Sequence, residues 1–160
     1  MKLIIAPRSR SIRARWILEE VNATYEIEHG ADAPVLIDGD TTLTESSAIC
    51  LYLADTFGLA PALDSPQRGA YLQWLLFAEA TLDPLILGDD PRLTRALDTV
   101  TAWLTGRQFV AGSSFTAADV VLSSVLHMAH ARGRLDAHPA LLEYTHRHTA
   151  RLSSRRAVSR

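Results

Sequence analysis

Cysteine is almost absent from this 160-residue sequence, which contains one, Cys50. A single cysteine excludes both an intrachain disulfide and a metal site built from several thiolates. Cys50 lies within the apolar run Ala48-Ile49-Cys50-Leu51-Tyr52. We therefore expect Cys50 to be a small, buried apolar residue of the core.

Long apolar runs and an excess of charge of one sign are also missing. No apolar run approaches the roughly 18 residues of a membrane-spanning helix, and no charged and then apolar leader opens the chain. The formal net charge is −2, and the charged residues are dispersed. There is thus no electrostatic reason to bind nucleic acid. We expect a cytoplasmic protein with neither a nucleic-acid nor a membrane partner.

The apolar content of 48% is sufficient for a real core. In the first 60 residues the pattern alternates between strand and helix. Strands are predicted at residues 2–6, 25–28 and, as a hairpin, 34–44, and helices at residues 11–21 and 46–57, the second closed by Gly58. The predicted element order is β-α-β-β-β-α.

Beyond Gly58 no strand pattern returns. Residues 59–65 have the composition of a linker, and helices are predicted to start at Ser65-Pro66, at Asp90-Pro91 and after Pro139. Thr116 and Asp119 have the spacing of a capping box. We predict an α/β domain over residues 1–60 and an all-α domain over residues 65–160. Arginines 151, 155, 156 and 160 form a basic tail that is expected to remain solvated.

The hairpin region also suggests a ligand. A strand that begins at Pro34 leads through a turn at Asp38-Gly39 to a helix that starts at Glu45 and Ser46. A helix N-terminus with free N–H groups beside an acid suits a ligand that carries both a carboxylate and an ammonium group. An amino-acid head group has this combination.

Three motifs in this order resemble the bacterial glutathione S-transferases. The run Pro7-Arg8-Ser9-Arg10-Ser11, with Arg13 to Glu20, resembles the start of the family's first helix. Pro34-Val35-Leu36 with Glu45-Ser46 resembles its cis-proline strand and glutathione-binding helix, and Phe115-Thr116-Ala117-Ala118-Asp119 resembles its second-domain capping motif. The resemblance implies a thioredoxin-like N-terminal domain, a helical C-terminal domain and a homodimer.

The resemblance also implies a site. Ser9 occupies the position of the hydroxyl that donates to the glutathione sulfur in serine-type members, and Arg10 stands where cysteine-type members hold a reactive cysteine. Ser11, two residues after Ser9, is a further candidate catalytic residue. By the same resemblance, the backbone of Ala33 holds the cysteinyl group beside a cis Pro34. The remaining two residues, Glu45 and Ser46, hold the γ-glutamyl group.

Such a site needs no general base. A free thiol has a pKa near ~8.5, and a hydroxyl donor together with the positive end of a helix favours the thiolate. Glutathione would supply the nucleophile for attack on a small apolar electrophile, and the protein would orient it.

One segment departs from the family. Only His29-Gly30-Ala31-Asp32 separates the second strand from Ala33, where the family has a helix and an approach rich in basic and amide side chains. The contact to the glycyl carboxylate is therefore missing. A charge-assisted hydrogen bond contributes about 1.5–3 kcal/mol, so its loss corresponds to roughly tenfold to hundredfold weaker binding.

Several alternatives remain open. Ser9, Glu45 and Ser46 are also common helix-capping residues. Two other functions are alternatives to a glutathione transferase. One is a glutathione-independent isomerase, cyclase or lyase of specialised metabolism, and the other is a non-catalytic binding protein of the same fold. His127 and His130 lie three apart on one helix, a spacing that can bind metal, but no third ligand is predicted.

A two-fold homodimer is predicted through the helices that start at Ser46 and Pro66. These helices carry more apolar and aromatic side chains than one small core needs: Tyr52, Phe57, Tyr71, Trp74 and Phe77.

Overall fold

The computed structural model describes residues 1–31, 34–88 and 90–159. The chain forms two compact units. The first comprises Met1–Ala60 and the segment that begins at Arg151, and the second comprises Pro61–Ala150. The segment that begins at Arg151 thus packs with the first unit and not with the helical domain that the sequence predicts over residues 65–160.

A four-stranded mixed sheet lies at the centre of the first unit. Its strands are β1 (Lys2–Ile5), β2 (Glu26–His29), β3 (Val35–Asp38) and β4 (Thr41–Leu43), in the spatial order β2-β1-β3-β4. Strand β1 pairs parallel with β2 and antiparallel with β3, and β3 pairs antiparallel with β4. The β-α-β-β-β-α order expected from the sequence is confirmed.

Two helices complete that order, α1 (Ser11–Glu20) and α2 (Ser46–Phe57). Helix α2 ends at Gly58, whose φ of 72° is the left-handed conformation that glycine adopts without strain. Cys50 is completely buried on α2. It is a core residue, as the sequence predicted.

The second unit consists of helices and their connections. They are α3 (Arg68–Phe77), a π-helical turn (Ala78–Leu82), α4 (Asp83–Leu87), α5 (Arg92–Leu104), α6 (Ala117–Ala131) and α7 (Pro139–Thr149). Pro91 lies at the N-cap of α5 and Pro66 lies two residues before α3, so neither occupies the first helical position that the sequence suggested. Among the described residues, no helix has the length and hydropathy needed to cross a bilayer.

The chain then returns to the first unit through α8 (Leu152–Val158), which packs along α1. Arg151 forms an ion pair with Glu20 of α1. The expectation of a solvated basic tail is therefore wrong at Arg151, while Arg155 and Arg156 are exposed. The fourth arginine of the tail, Arg160, lies outside the described residues.

A buried carboxylate organises the start of α6. Asp119 accepts hydrogen bonds from the backbone N–H of Val110 (2.8 Å) and of Thr116 (2.9 Å), and from the hydroxyl groups of Thr116 (3.0 Å) and Tyr144 (2.7 Å). Burial, followed by the charge and hydrogen bond of Asp119, raises the pKa of Tyr144 well above its usual value. The predicted capping box is present and also links α6 to α7.

We predict that Asp119→Ala lowers the free energy of unfolding by at least about 3 kcal/mol, because it leaves several buried donors unpaired at about 1–3 kcal/mol each. Tyr144→Phe removes one donor and keeps the ring, so a loss of about 1 kcal/mol is expected. Asp64→Ala, at an exposed position, is the control. Denaturant unfolding measures all three, and equal midpoints for Asp119→Ala and the control would contradict this account.

Candidate functional site at one end of the sheet

Strand register brings the segments predicted for the site to the same end of the sheet. Ile4, the last residue but one of β1, pairs with Val35 at the start of β3. Leu36 pairs with Leu43, the last residue of β4. The chain that leaves β1 toward Ser9, the residue that precedes β3 and the chain that leaves β4 toward α2 therefore meet at one sheet end.

The size of this end suits a small peptide. Neighbouring strands lie about 4.8 Å apart, so the ends of β1, β3 and β4 span about 10 Å. An extended tripeptide has a similar length of about 10 Å. Helices α1 and α2 both begin after segments that leave this end, and helix N-termini favour negative charge.

Ser9 and Ser11 form a hydroxyl pair at the start of α1. Their Oγ atoms are 2.5 Å apart, and the backbone N–H of Ser11 donates to Oγ of Ser9 at 3.2 Å. Ser11 is buried, whereas Ser9 is half-buried. Ser9 thus does satisfy the first N–H of α1, as the capping alternative expected.

The Ser9 hydroxyl can cap α1 and still donate to a ligand when the Ser11 hydroxyl donates to Ser9 Oγ and not to the carbonyl of Ala6, which lies 3.4 Å from Ser11 Oγ. A hydroxyl has one proton to donate and two lone pairs. When the Ser11 hydroxyl and backbone N–H both donate to Ser9 Oγ, both lone pairs are used and the Ser9 proton is free for a third group. The same residue can then cap α1 and donate a hydrogen bond to a ligand.

The residues on either side of Ser9 differ in conformation. Arg8 has a φ of 59°, a left-handed conformation that costs a non-glycine residue roughly 1–2 kcal/mol. Such strain is often found at functional sites, and the sequence pattern gave no sign of it. Arg10 is exposed and is the N-cap residue of α1, without a side-chain capping bond.

The second and third segments contribute Pro34 and the start of α2. Pro34 is half-buried and immediately precedes β3, but Ala33, and with it the predicted cis bond, lies outside the described residues. Glu45 is the exposed N-cap residue of α2 and makes no side-chain capping bond. Ser46, the first residue of α2, is buried. Register thus places Pro34, Glu45 and Ser46 at the sheet end that Ser9 approaches.

Gly30, which no sequence pattern singles out, packs closely against β1. Only residues 30–34 connect β2 to β3, too few for the helix that the family has there. Gly30 donates its N–H to the carbonyl of Ile5 at 3.0 Å. A Cβ at Gly30 would lie 2.7 Å from Cγ2 of Ile4, closer than packing allows. Gly30 therefore lies in close contact with the end of β1.

The two histidines considered for a metal site are not brought together with further ligands. His127 is exposed, and the ring of His130 contacts that of His146 on α7, with centroids 5.5 Å apart. In the described part of the chain, no group of three or more His, Cys, Asp or Glu side chains is arranged to hold a metal ion.

The helical unit has an apolar depression of about 400 Å³ that is separate from the predicted site residues. Phe77, Leu85 and Ala96 line it, with Arg92 and Arg95 also among the lining residues. None of the residues predicted for the site from the sequence takes part in it.

The comparisons with known proteins agree with the fold. The model for the glutathione S-transferase N-terminal domain matches residues 26–62, and that for the C-terminal domain matches residues 87–147. Glutathione S-transferase GstA of Escherichia coli O157:H7 is 33% identical over 114 residues, or 61% of this chain and 56% of that protein. Glutathione S-transferase 2 of Anopheles gambiae is 31% identical over 115 residues, 60% of this chain and 55% of that protein. The chain spans just over half the length of these two relatives.

Solved structures are similar over both units. A sphingomonad glutathione S-transferase complexed with glutathione has a TM-score of 0.83 and 29% identity, over 99% of this chain and 97% of that chain. The beta class enzyme of Sphingomonas chungbukensis has a TM-score of 0.84 and 26% identity, again over 99% and 97%. A thioredoxin-like unit combined with a helical unit is thus the architecture of this chain. The chain belongs to the glutathione S-transferase superfamily.

We predict that Gly30→Ala destabilises the protein by about 1–3 kcal/mol, the range for a side chain forced into a packed region. Ile4→Ala removes the atom that the new Cβ would contact. Ile4→Ala should therefore lower the free energy of unfolding less in the Gly30→Ala background than in the wild type. Gly69→Ala is the matched control, because that helical glycine has open space around it and alanine favours helix by about 1 kcal/mol. Unfolding free energies measure these effects, and a neutral Gly30→Ala would show that Gly30 is not tightly packed against Ile4.

Proposed function

We propose that this chain binds glutathione at the sheet end and promotes attack of the glutathione thiolate on a small apolar electrophile. The convergence of Ser9, Pro34 and the start of α2 at that end is the observation that carries the proposal. The relative complexed with glutathione supports it by similarity. Reduced glutathione and a chain with a single cysteine fit a reducing compartment such as the cytoplasm.

Each residue has a distinct part in this proposal. Ser9 Oγ donates to the sulfur, and Ser11 orients Ser9 through the 2.5 Å contact between their Oγ atoms. Arg10 stands in place of a reactive cysteine, so no protein thiol takes part. The backbone of Ala33, beside Pro34, pairs with the cysteinyl group.

The start of α2 would hold the other end of the ligand. Glu45 would attract the ammonium of the γ-glutamyl group, and the N–H groups at Ser46 would bind its carboxylate. Because the bound thiolate lies near the hydroxyl and helix N-termini, its pKa falls below the ~8.5 of a free thiol.

We predict that Ser9→Ala lowers turnover with a model aryl halide by roughly 10²-fold or more, the scale for loss of one preorganised donor. Ser114→Ala, at an exposed position in the helical unit, should leave turnover unchanged. Steady-state kinetics with both variants, checked for equal thermal stability, measures the effect. If wild-type turnover is present and Ser9→Ala retains it, Ser9 only caps α1.

The short β2–β3 connection predicts an unusual ligand preference. Without the helix that normally precedes β3, the glycyl carboxylate of glutathione lacks a charged partner, so that carboxylate should contribute little to affinity. We expect glutathione and γ-glutamylcysteine, which lacks the glycine, to bind with dissociation constants within about threefold, or roughly 0.6 kcal/mol. Calorimetric titration compares them. A preference for glutathione of a hundredfold would reveal a glycyl contact that this account omits.

The same short connection favours a second candidate function. A glutathione-independent isomerase, cyclase or lyase does not bind the tripeptide, so it would tolerate the loss of the contact to the glycyl carboxylate. Absence of glutathione binding in the calorimetric titration would move the function to this class, or to a non-catalytic binding protein of the same fold.

A homodimer is also part of the proposal, on a narrower surface than the sequence suggested. Tyr71 and Trp74 are buried within the helical unit and are unavailable to a partner, whereas Phe57 is 38% and Leu76 45% exposed. We predict a dimer mass by light scattering at micromolar concentration, and a shift toward the monomer for Leu76→Glu, because a buried unpaired charge opposes association. Leu63→Glu, at an 83% exposed position, is the control. A monomer mass for the wild type would exclude this arrangement.

A further inference from the structure

The C-terminal segment contacts α1 through the carboxylate of Glu20, which accepts several hydrogen bonds. Glu20 Oε2 lies 3.1 Å from Nε of Arg151, and Glu20 Oε1 accepts from Nη2 of the same guanidinium. The Ser153 hydroxyl also donates to Oε2 of Glu20. Glu20 is well shielded, with 12% of its side chain exposed. A two-pronged arginine–carboxylate pair of this kind fixes orientation as well as distance.

A second contact lies further back along α1. Arg15, only 3% exposed, donates through Nη2 to the carbonyl of Arg156 at 3.2 Å. Arg15 and Glu20 are five residues apart, so the two contacts are separated by about 7.5 Å along the helix axis. Two contacts at separate points restrict the rotation of α8 relative to α1 more than one contact would.

Helix α1 contacts three other elements of the first unit. They are β1, α2 and α8. Its first residue, Ser11, contacts Ser9 directly. Because an α-helix of ten residues moves nearly as a rigid rod, a shift of α1 also displaces the hydroxyl pair at its start.

We propose that Glu20, Arg151 and Ser153 form a latch through which the end of the chain positions Ser9 and Ser11 at the sheet end. Glu20 and Arg151 are positioning residues that act through α1 and do not touch the ligand. The catalytic consequence of the latch rests on the proposed glutathione-binding function.

The ionisation of Glu20 is consistent with this arrangement. Burial alone would raise the pKa of Glu20, but the hydrogen bonds from Arg151 and Ser153 and the charge of Arg151 outweigh burial and lower that pKa from its usual value. The carboxylate is thus charged near neutral pH, as the ion pair requires.

The test compares Glu20→Gln, Arg151→Ala and the reversed pair Glu20→Arg/Arg151→Glu in the full chain. Glu143→Gln is the matched control, because it removes a carboxylate from an exposed ion pair, with Arg147, in the helical unit. We expect both single variants to speed hydrogen exchange of the α1 amides by at least tenfold relative to those of α2, and the reversed pair to restore protection in part.

A second readout separates positioning from general stability. The thiol pKa of bound glutathione, read from the pH profile of turnover, should rise by about one unit in Glu20→Gln and stay at the wild-type value in Glu143→Gln, one unit being a tenfold change in the ratio of thiol to thiolate. A lower melting temperature with an unchanged thiol pKa would overturn the positioning role.

The proposed function and the latch fail in different ways. If the wild type does not bind glutathione, the proposed function fails, while exchange at Ser9, Ser11 and the rest of α1 still decides whether the latch orders this helix start. Wild-type exchange rates in Glu20→Gln and Arg151→Ala would overturn the latch whether or not glutathione binds.

Discussion

The register of β1 against β3, and of β3 against β4, is the constraint on which the candidate site depends. A one-residue slip would reverse the faces of a strand, so the buried Leu3 and Leu36, which pair with each other, strongly fix the register. Once register is fixed, the exits from β1 and β4 and the entry to β3 must meet at one sheet end. The placement of Ser9, Pro34 and Ser46 at this end of the sheet follows from that geometry.

Helix α1 connects this end of the sheet to the C-terminal segment. Ser11 lies at its start, where the Ser9 hydroxyl accepts the first N–H of the helix and contacts the Ser11 hydroxyl. At the C-terminal end of α1, Glu20 accepts a hydrogen bond from Arg151. The helix thus contacts segments from both ends of the sequence. Arg15 on α1 and Arg156, which are hydrogen-bonded to each other, are 141 residues apart.

Local patterns predicted much of the fold, because each rests on interactions between near neighbours. The capping box at Thr116, the end of α2 at Gly58 and the β-α-β-β-β-α order are of this kind. Long-range contacts were missed: the pairing of Arg151 with Glu20, and the close approach that requires Gly30. Periodicity also does not distinguish a core aromatic from an interface one, so Tyr71 and Trp74 were assigned to a dimer surface although they are buried.

The central claim is that glutathione binds where the three segments meet. Titration of isotope-labelled protein with reduced glutathione, followed by amide chemical shifts, tests it most directly. We expect the largest shifts at Ser9, Ser11 and Ser46, with little change at the β3–β4 turn around Gly39, at the opposite end of the sheet. Shifts confined to that turn or to the helical unit, or no shifts at millimolar glutathione, would contradict it.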